Sequence, residues 1–483
     1  MNDLIPFAEI TLGLALALLL AVGSNRFAEW VRVPAPALFL IAAAVVAEFI
    51  PKLGKLGILT DQRIVTIALV MILFDGGMHI GWGRMRPALG GVAWLGVAGT
   101  LVTTAALAVG VHLLFGFDWR SALIIGAALA PTDPAVVFSV LGRREISGRS
   151  GTMLEGESGA NDPVGIALMI SLLGAAGGGV SAVGSGVAHF ALQIAVGLVV
   201  GVGGGWLLLQ LMRKLPLPNA ALYPVQTIAF ALVLFGLATA VEGSGYLAVF
   251  IAGIYVGDER APYKREIEHF AGALASIGEI VAFVVLGLSV NLDRVFSDNR
   301  IWIGLGIAAL LVLVVRPVLV GLLLLPVSLD RGERAFVLFS GLKGAVPILL
   351  GTYVLVENVA HADKIYDIIF VVVSVSVLVQ GGLVPAAAKL FHVPMRVVEP
   401  EPFALGMRFR DEPEGLHRYV VAHGSRADGC TLAALDVGEN FWVSMVSRDG
   451  RLLQVRGDTV LQAGDEVLAL ADDSDSPDQV FSA

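Results

Sequence analysis

The most constraining feature of this chain is the length of its apolar blocks. Through the first 395 residues, runs of about 17 apolar residues or more recur, each long enough to cross about 30 Å of hydrocarbon as a helix. Composition agrees: 56% of the 483 residues are hydrophobic and 15% charged, with a mean hydropathy of +0.82. A soluble domain carries about 25% charge and about 45–50% apolar residues. The chain is a polytopic, mostly α-helical membrane protein by this reading. Its net charge of −9 says little about nucleic acid, but no basic cluster interleaved with aromatics supports such a partner, so none is expected. Cys430 is the sole cysteine, so no intrachain disulfide forms, which is compatible with a cytoplasmic C-terminal domain. The N-terminus offers Asp3 and Glu9 instead of a basic segment, so residues 8–24 read as a retained first helix rather than a cleaved signal peptide.

The pattern predicts thirteen spans, near 8–24, 34–50, 62–80, 88–115, 120–141, 151–175, 187–212, 221–241, 246–257, 270–290, 300–326, 334–356 and 365–390. The ninth is short and Glu279 interrupts the tenth. With the N-terminus outside, the inner loops carry Arg26, Arg32, Arg84, Arg86, Arg143, Arg144, Arg149, Arg213, Lys214, Arg260, Lys264, Arg265, Arg331, Arg334, Lys389 and Arg396, sixteen in all. The outer loops carry seven: Lys52, Lys55, Arg63, Arg120, Arg294, Arg300 and Lys364. The excess predicts an outside N-terminus and an inside C-terminus.

A charge at mid-bilayer costs about 2.5–3.5 kcal/mol, so each ionisable residue within a span needs a reason. The candidates are Asp75, Asp133, Glu157, Asp162, Glu279, Arg316 and Lys343. For any one alone, a structural ion pair or a misplaced span edge is as good a reading as a functional role. Seven, with both signs present, point to proton or cation movement. Two spans are poor continuous helices. Span five holds Ala130-Pro131-Thr132-Asp133-Pro134, and span twelve holds Gly341-Leu342-Lys343-Gly344-Ala345-Val346-Pro347. Prolines remove helical N–H groups, and unwound backbone at membrane depth is tolerated where it lines a cavity. Paired interruptions at corresponding places in two halves mark a transporter site. Taking spans one to six and eight to thirteen as repeats, both breaks fall in the fifth helix, and the offset of seven makes the repeats inverted. Span six contributes Glu155-Gly156-Glu157-Ser158-Gly159-Ala160-Asn161-Asp162-Pro163. Helical spacing puts Glu157 and Asn161 on one face and Ser158 and Asp162 on the next. A desolvated carboxylate beside a hydroxyl can hold a proton or an alkali cation in turn, and that competition is exchange.

At these residues the chain resembles the NhaP-type branch of the cation:proton antiporters, which includes the sodium/proton exchangers. The resemblance spans 1–395 and rests on Thr132-Asp133-Pro134, Glu157-Ser158 with Asn161-Asp162, and Gly341-Leu342-Lys343-Gly344. It implies thirteen helices, a homodimer, a rigid dimer domain and a six-helix core that moves like an elevator, in a bacterial cytoplasmic (inner) membrane, with no cofactor. It further implies that Asp162 binds the alkali cation or the proton, with Ser158, Thr132 and Asp133 completing the site. Asn161 orients it, Glu157 pairs with Arg316, and Asp133 balances backbone dipoles and Lys343 at the crossing. Asp75 and Glu279 are accessory candidates. The family usually has arginine where this chain has Lys343, which keeps the charge but loses the bidentate fork. An Asn161-Asp162 pair, in place of two aspartates, implies electroneutral one-for-one exchange.

Residues 403–473 form a separate small α+β domain by the same reading, after a linker at 396–402 and before an acidic tail at 474–483. Short apolar runs alternate with turns, and Ala463-Gly464-Asp465-Glu466 is a hairpin signal. The Gly429-Cys430-Thr431-Leu432 and Asp458–Asp465 stretches resemble the C-terminal (TrkA-C) part of RCK regulators of potassium transport. That resemblance implies a cytoplasmic regulatory domain with a small ligand such as a nucleotide, and favours potassium over sodium. Two other classes stay open on the residues alone. A gated potassium efflux channel lacks its Thr-Val-Gly-Tyr-Gly filter here. An intramembrane aspartyl protease built on Asp133 and Asp162 leaves Glu157, Asn161 and Arg316 without roles.

Overall fold

The computed structural model describes residues 19, 22–23, 34–49, 57–141, 144–146, 149–174, 180–258, 262–327, 329–397, 416–435, 437, 441–448, 451–453, 455–470 and 478–481. The chain divides into two compact units, Met1–Val398 and Glu399–Ala483. The first is helical. Its helices are α1 (Ala35–Phe49), α2 (Ile58–Ala93), α3 (Thr100–Phe115), α4 (Trp119–Leu129), α5 (Ala135–Leu141), α6 (Arg149–Gly174), α7 (Val180–Lys214), α8 (Leu222–Ala240) and α9 (Gly245–Asp258). After these come α10 (Lys264–Leu288), α11 (Leu292–Phe296), α12 (Arg300–Leu310), α13 (Gly321–Leu323), α14 (Arg331–Phe339), α15 (Ala345–Val356), α16 (Ala362–Val375) and α17 (Gly382–Leu390). Among the described residues six helical stretches are long and apolar enough to cross a membrane. The predicted first span at 8–24 lies almost wholly outside those residues.

Three predicted boundaries change. Spans three and four are two helices that meet at a kink at Gly81, with no loop at 81–87 between them. The bend is a single residue, Gly81, at φ 61° and ψ 163°, a conformation open to glycine and strained for any side chain. Glu279 does not interrupt span ten; α10 runs through it. In span eleven the helix widens to π geometry over Leu311–Val320, around Arg316 and Pro317, because proline cannot supply its i−4 hydrogen bond. α9 and α10 pack against α2, and α1 packs against α10. α4, α6 and α14 to α17 gather around the two broken spans, with β1 (Arg144–Ile146) paired antiparallel to β2 (Met395–Val397) at one end. That pairing corrects the linker: Arg396 and Val397 belong to a strand of the helical unit, not to a connection beginning at 396.

The second unit is an antiparallel sheet in the order β3 (Leu416–Val420), β6 (Glu466–Leu470), β4 (Trp442–Arg448), β5 (Arg451–Leu453). Val467 and Ala469 alternate inward along β6 onto Tyr419, Val446 and Leu461, as the two-residue period of a strand requires. The predicted acidic tail is partly core. Residues 471–477 lie outside the described residues, but α18 (Asp478–Phe481) buries Val480 and Phe481, and Phe481 stacks on Tyr419 at 4.7 Å. The 463–466 signal is a turn with Gly464 at φ 91°, yet β6 pairs with β3 and β4 rather than closing a hairpin on β5.

Asp465 fixes that turn. Its buried carboxylate takes both nitrogens of the Arg448 fork at 2.7 Å and the Gln462 N–H at 2.8 Å. Burial alone would raise its pKa, but these donors outweigh it and hold the carboxyl below the usual range. The stabilisation is therefore full above the unfolded value of about 3.9 and disappears as pH falls through the lower folded value. We expect Asp465→Asn to cost the domain about 1–2 kcal/mol at neutral pH. Faster amide hydrogen exchange in β4 and β6 of the full-length protein would report it, and the gap from wild type should close in strong acid.

Candidate functional site

The site lies where the two broken spans cross. α4 ends at Leu129 and α5 begins at Ala135; α14 ends at Phe339 and α15 begins at Ala345. Between them the backbone is unwound, and the breaks bond to each other: the Asp133 N–H donates to the Leu342 carbonyl at 2.8 Å. Four helix ends thus meet in an apolar surround, and each leaves unsatisfied backbone groups that the sequence must answer.

It answers with charge matched to the helix dipole. Lys343 Nζ donates to the Ala130 and Pro131 carbonyls, at 2.9 and 2.8 Å, at the C-terminal end of α4. Asp133 accepts from the Ala135 N–H at 2.9 Å and also from Ala345, so one carboxylate caps the N-termini of α5 and α15. Arg316 Nε donates to Leu338 O at 2.9 Å and Nη2 to Val337 O at 3.2 Å, covering the end of α14. The same Nη2 reaches Glu157 Oε1 at 3.0 Å, with both side chains about 5% exposed. Gly341 lies so close to the Arg316 guanidinium, and Gly344 to the Asp133 carboxylate, that a Cβ at either would overlap them.

α6 runs beside the crossing. Asn161 ties it to the break in both directions: Thr132 N–H donates to Asn161 Oδ1 at 3.2 Å, and Asn161 Nδ2 donates to Thr132 Oγ1 at 2.8 Å. Asp162 is 7% exposed, accepts a hydrogen bond from Ser158, and faces the charges of Asp133 and Lys343. Its Oδ1 is buried without a hydrogen-bond partner. Leaving such an oxygen bare costs several kcal/mol, so the position suits a proton or a small cation. Ser158, Thr132, Asn161, Asp133 and Asp162 are thus brought together, with Glu157 and Arg316 behind them. Asp75 and Glu279 lie outside this cluster, on α2 and α10; Asp75 contacts His79 at 3.3 Å.

Several residues escaped sequence reasoning. Ser376 Oγ accepts from the Lys343 N–H at 3.0 Å and donates to Gln380 Oε1 at 3.0 Å, while the Gln380 amide bonds Phe339 O. A lone glutamine in an apolar span was the available signal. Asp367 is fully buried, 2.5 Å from Arg300 and 3.7 Å from Arg294. Its place two residues inside a predicted span disguises it as a loop residue.

Crossed half-helices with compensated ends, beside a buried carboxylate with a bare oxygen, are the arrangement of a membrane transporter for a small cation. The chain belongs to the sodium/hydrogen exchanger family. The family's transmembrane profile matches residues 14–390, and a TrkA-C profile matches residues 416–477. It is 33% identical over 417 residues to the K(+)/H(+) antiporter NhaP of Alkalimonas amylolytica, covering 86% of this chain and 72% of that one. It is 31% identical over 470 residues to the K(+)/H(+) antiporter NhaP2 of Shewanella oneidensis, covering 94% and 79%. The sodium proton antiporter MjNhaP1 of Methanocaldococcus jannaschii shares the fold, at a TM-score of 0.68 and 21% identity, over 81% of this chain and 100% of that one. The relatives are antiporters, and this protein is a cation/proton antiporter rather than an enzyme.

Proposed function

We propose that the protein exchanges potassium, and less readily sodium, for protons in one-for-one cycles at Asp162. The observation that carries this reading is the bare, buried Asp162 Oδ1 beside Ser158, Thr132 and Asn161 at the helix crossing. One carboxylate that swaps one proton for one monovalent cation moves no net charge. In the neutral cycle Lys343 serves the structure of the crossing: both hydrogen bonds of its Nζ go to carbonyls at the C-terminal end of α4, where a cation is favoured. Potassium is preferred because the Alkalimonas and Shewanella relatives carry that ion in their names. The cycle works by elevator movement of the crossing and its flanking helices, arranged as two inverted repeats, against the group formed by α1, α2, α9 and α10. The protein works as a homodimer in the cytoplasmic membrane, with its N-terminus outside and the sheet domain in the cytoplasm as a regulatory module.

The test is proton flux in proteoliposomes driven by rubidium or sodium, at several imposed potentials set without potassium. Saturable, cation-dependent proton movement is expected, with a reversal point that ignores voltage. A net charge per cycle would shift that point by about 2.3 kcal/mol per 100 mV, which would refute one-for-one exchange and put Lys343 in the proton pathway.

A further inference from the structure

Tyrosine hydroxyls tie the helices of the crossing to the group they face. Tyr246, the second residue of α9, is buried, and its ring meets Phe235 edge-on at 5.0 Å. Its hydroxyl donates to Thr66 Oγ1 on α2 at 3.2 Å and shares a hydrogen bond with the Tyr353 hydroxyl on α15 at 3.4 Å. Tyr366, near the start of α16, is fully buried and donates to the Leu286 carbonyl on α10 at 3.3 Å. That carbonyl lies in the last turn of α10, where a helix leaves its acceptors unsatisfied. α15 and α16 belong to the crossing, whereas α2, α9 and α10 belong to the opposing group.

Both contacts lie at the end of the unit that the charge pattern places outside. Tyr246 opens α9, Leu286 is near the end of α10, and Tyr353 and Tyr366 flank the turn at 357–361. A passage between two groups of helices is shut where side chains bridge them. Buried tyrosine hydroxyls keep a partner, because leaving one bare in an apolar surround is costly. Each contact therefore resists separation. When the groups part, Tyr246 retains Thr66 within its own group, while Tyr353 and Tyr366 each give up an acceptor or donor on the far side.

We propose that Tyr246, Tyr353 and Tyr366 are positioning residues for exchange: they latch the outer side of the passage shut and so set how readily Asp162 faces outward. The latch presupposes the exchange cycle and the elevator movement proposed above. It gives the crossing a fixed partner at its outer end, made of hydroxyls that break and re-form once per cycle and never touch the cation.

Two measurements test it, and they separate the latch from the movement it presupposes. The first is the rubidium dependence of exchange by wild type, Tyr353→Phe and Tyr366→Phe, in right-side-out and in everted membrane vesicles. Phenylalanine keeps the ring and removes only the oxygen. One lost hydrogen bond shifts the balance of the two states about fivefold, and apparent affinity at a face follows the fraction of protein open to it. Each variant should therefore lower KM for rubidium at the outer face by up to about fivefold, with no fall at the inner face. A merely structural role would weaken exchange at both faces alike. Any pattern other than a fall confined to the outer face overturns the latch. The second measurement joins Tyr246→Cys to Tyr353→Cys with a short, reducible bis-thiosulfonate, in a Cys430→Ala background that removes the sole native cysteine. Bridged protein should stop exchanging and recover on reduction. Full exchange while bridged would mean that the groups do not part there, and the elevator reading falls together with the latch. Arrest on bridging, with wild-type KM at both faces in the phenylalanine variants, leaves the movement standing and overturns the latch alone. A wild type that exchanges neither rubidium nor sodium refutes the exchange reading, and the latch goes with it.

Discussion

Asp162→Asn abolishes exchange of every cation while leaving the fold in place. The asparagine is isosteric and can still accept from Ser158, and the bare Oδ1 of the wild type has no bond to lose. Folding is therefore expected to be unchanged or slightly improved, since a buried carboxylate facing the like charge of Asp133 is removed. Transport is another matter. The amide cannot take up and release a proton, and it offers a cation a dipole where a full charge stood. Losing an ionic contact worth about 1.5–3 kcal/mol reduces binding by one to two orders of magnitude, and losing the titrating group removes the coupling altogether. Proteoliposomes carrying this variant should show no cation-dependent proton flux above that of empty vesicles, while thermal unfolding in detergent matches wild type. Residual coupled flux would move the exchanging carboxylate to Asp133 or Glu157, the other acids at the crossing.

Much of this site was legible because membrane depth makes charge conspicuous. Asp133, Glu157, Asp162, Arg316 and Lys343 stand out in apolar runs, and all five do meet at the crossing. The two breaks could be read from Pro131, Pro134, Gly341 and Gly344, because proline and glycine act locally, through the backbone itself. What could not be read was partnership across the chain. Nothing in the string says that Arg316 covers the last carbonyls of α14 as well as Glu157, or that Gln380 reaches Phe339; those contacts depend on packing. Gly81 misled for the opposite reason. Charged and small residues at 81–87 read as a loop, but one glycine in a left-handed conformation turns the chain and lets the helix resume at once. In the sheet domain, Val480 and Phe481 follow an acidic stretch and were read with it, although two apolar side chains suffice to seat the chain end in the core.

The second large effect falls on stability, through Glu157 and Arg316. Arg316→Gln leaves Glu157 buried and unpaired and uncovers the carbonyls of Val337 and Leu338 at once. Removing one partner of a buried pair costs on the order of 3–5 kcal/mol, and the uncovered helix end adds to it. Glu157→Gln should cost less, on the order of 2 kcal/mol, because the remaining guanidinium still sits against the negative end of the α14 dipole. The glutamate is also the less committed partner: its Oε2 has no hydrogen bond, while Arg316 makes three. The double variant Glu157→Gln, Arg316→Gln removes both charges and should unfold at a higher temperature than Arg316→Gln alone. It should still fall short of Glu157→Gln, because only the arginine covers the helix end. Thermal unfolding of the four proteins in one detergent gives the order directly: wild type, Glu157→Gln, the double variant, Arg316→Gln. If the double variant is no more stable than Arg316→Gln, the charge pair contributes nothing and the arginine is there for the carbonyls alone. If it matches Glu157→Gln, the carbonyl contacts are dispensable and the salt bridge is the whole of the effect.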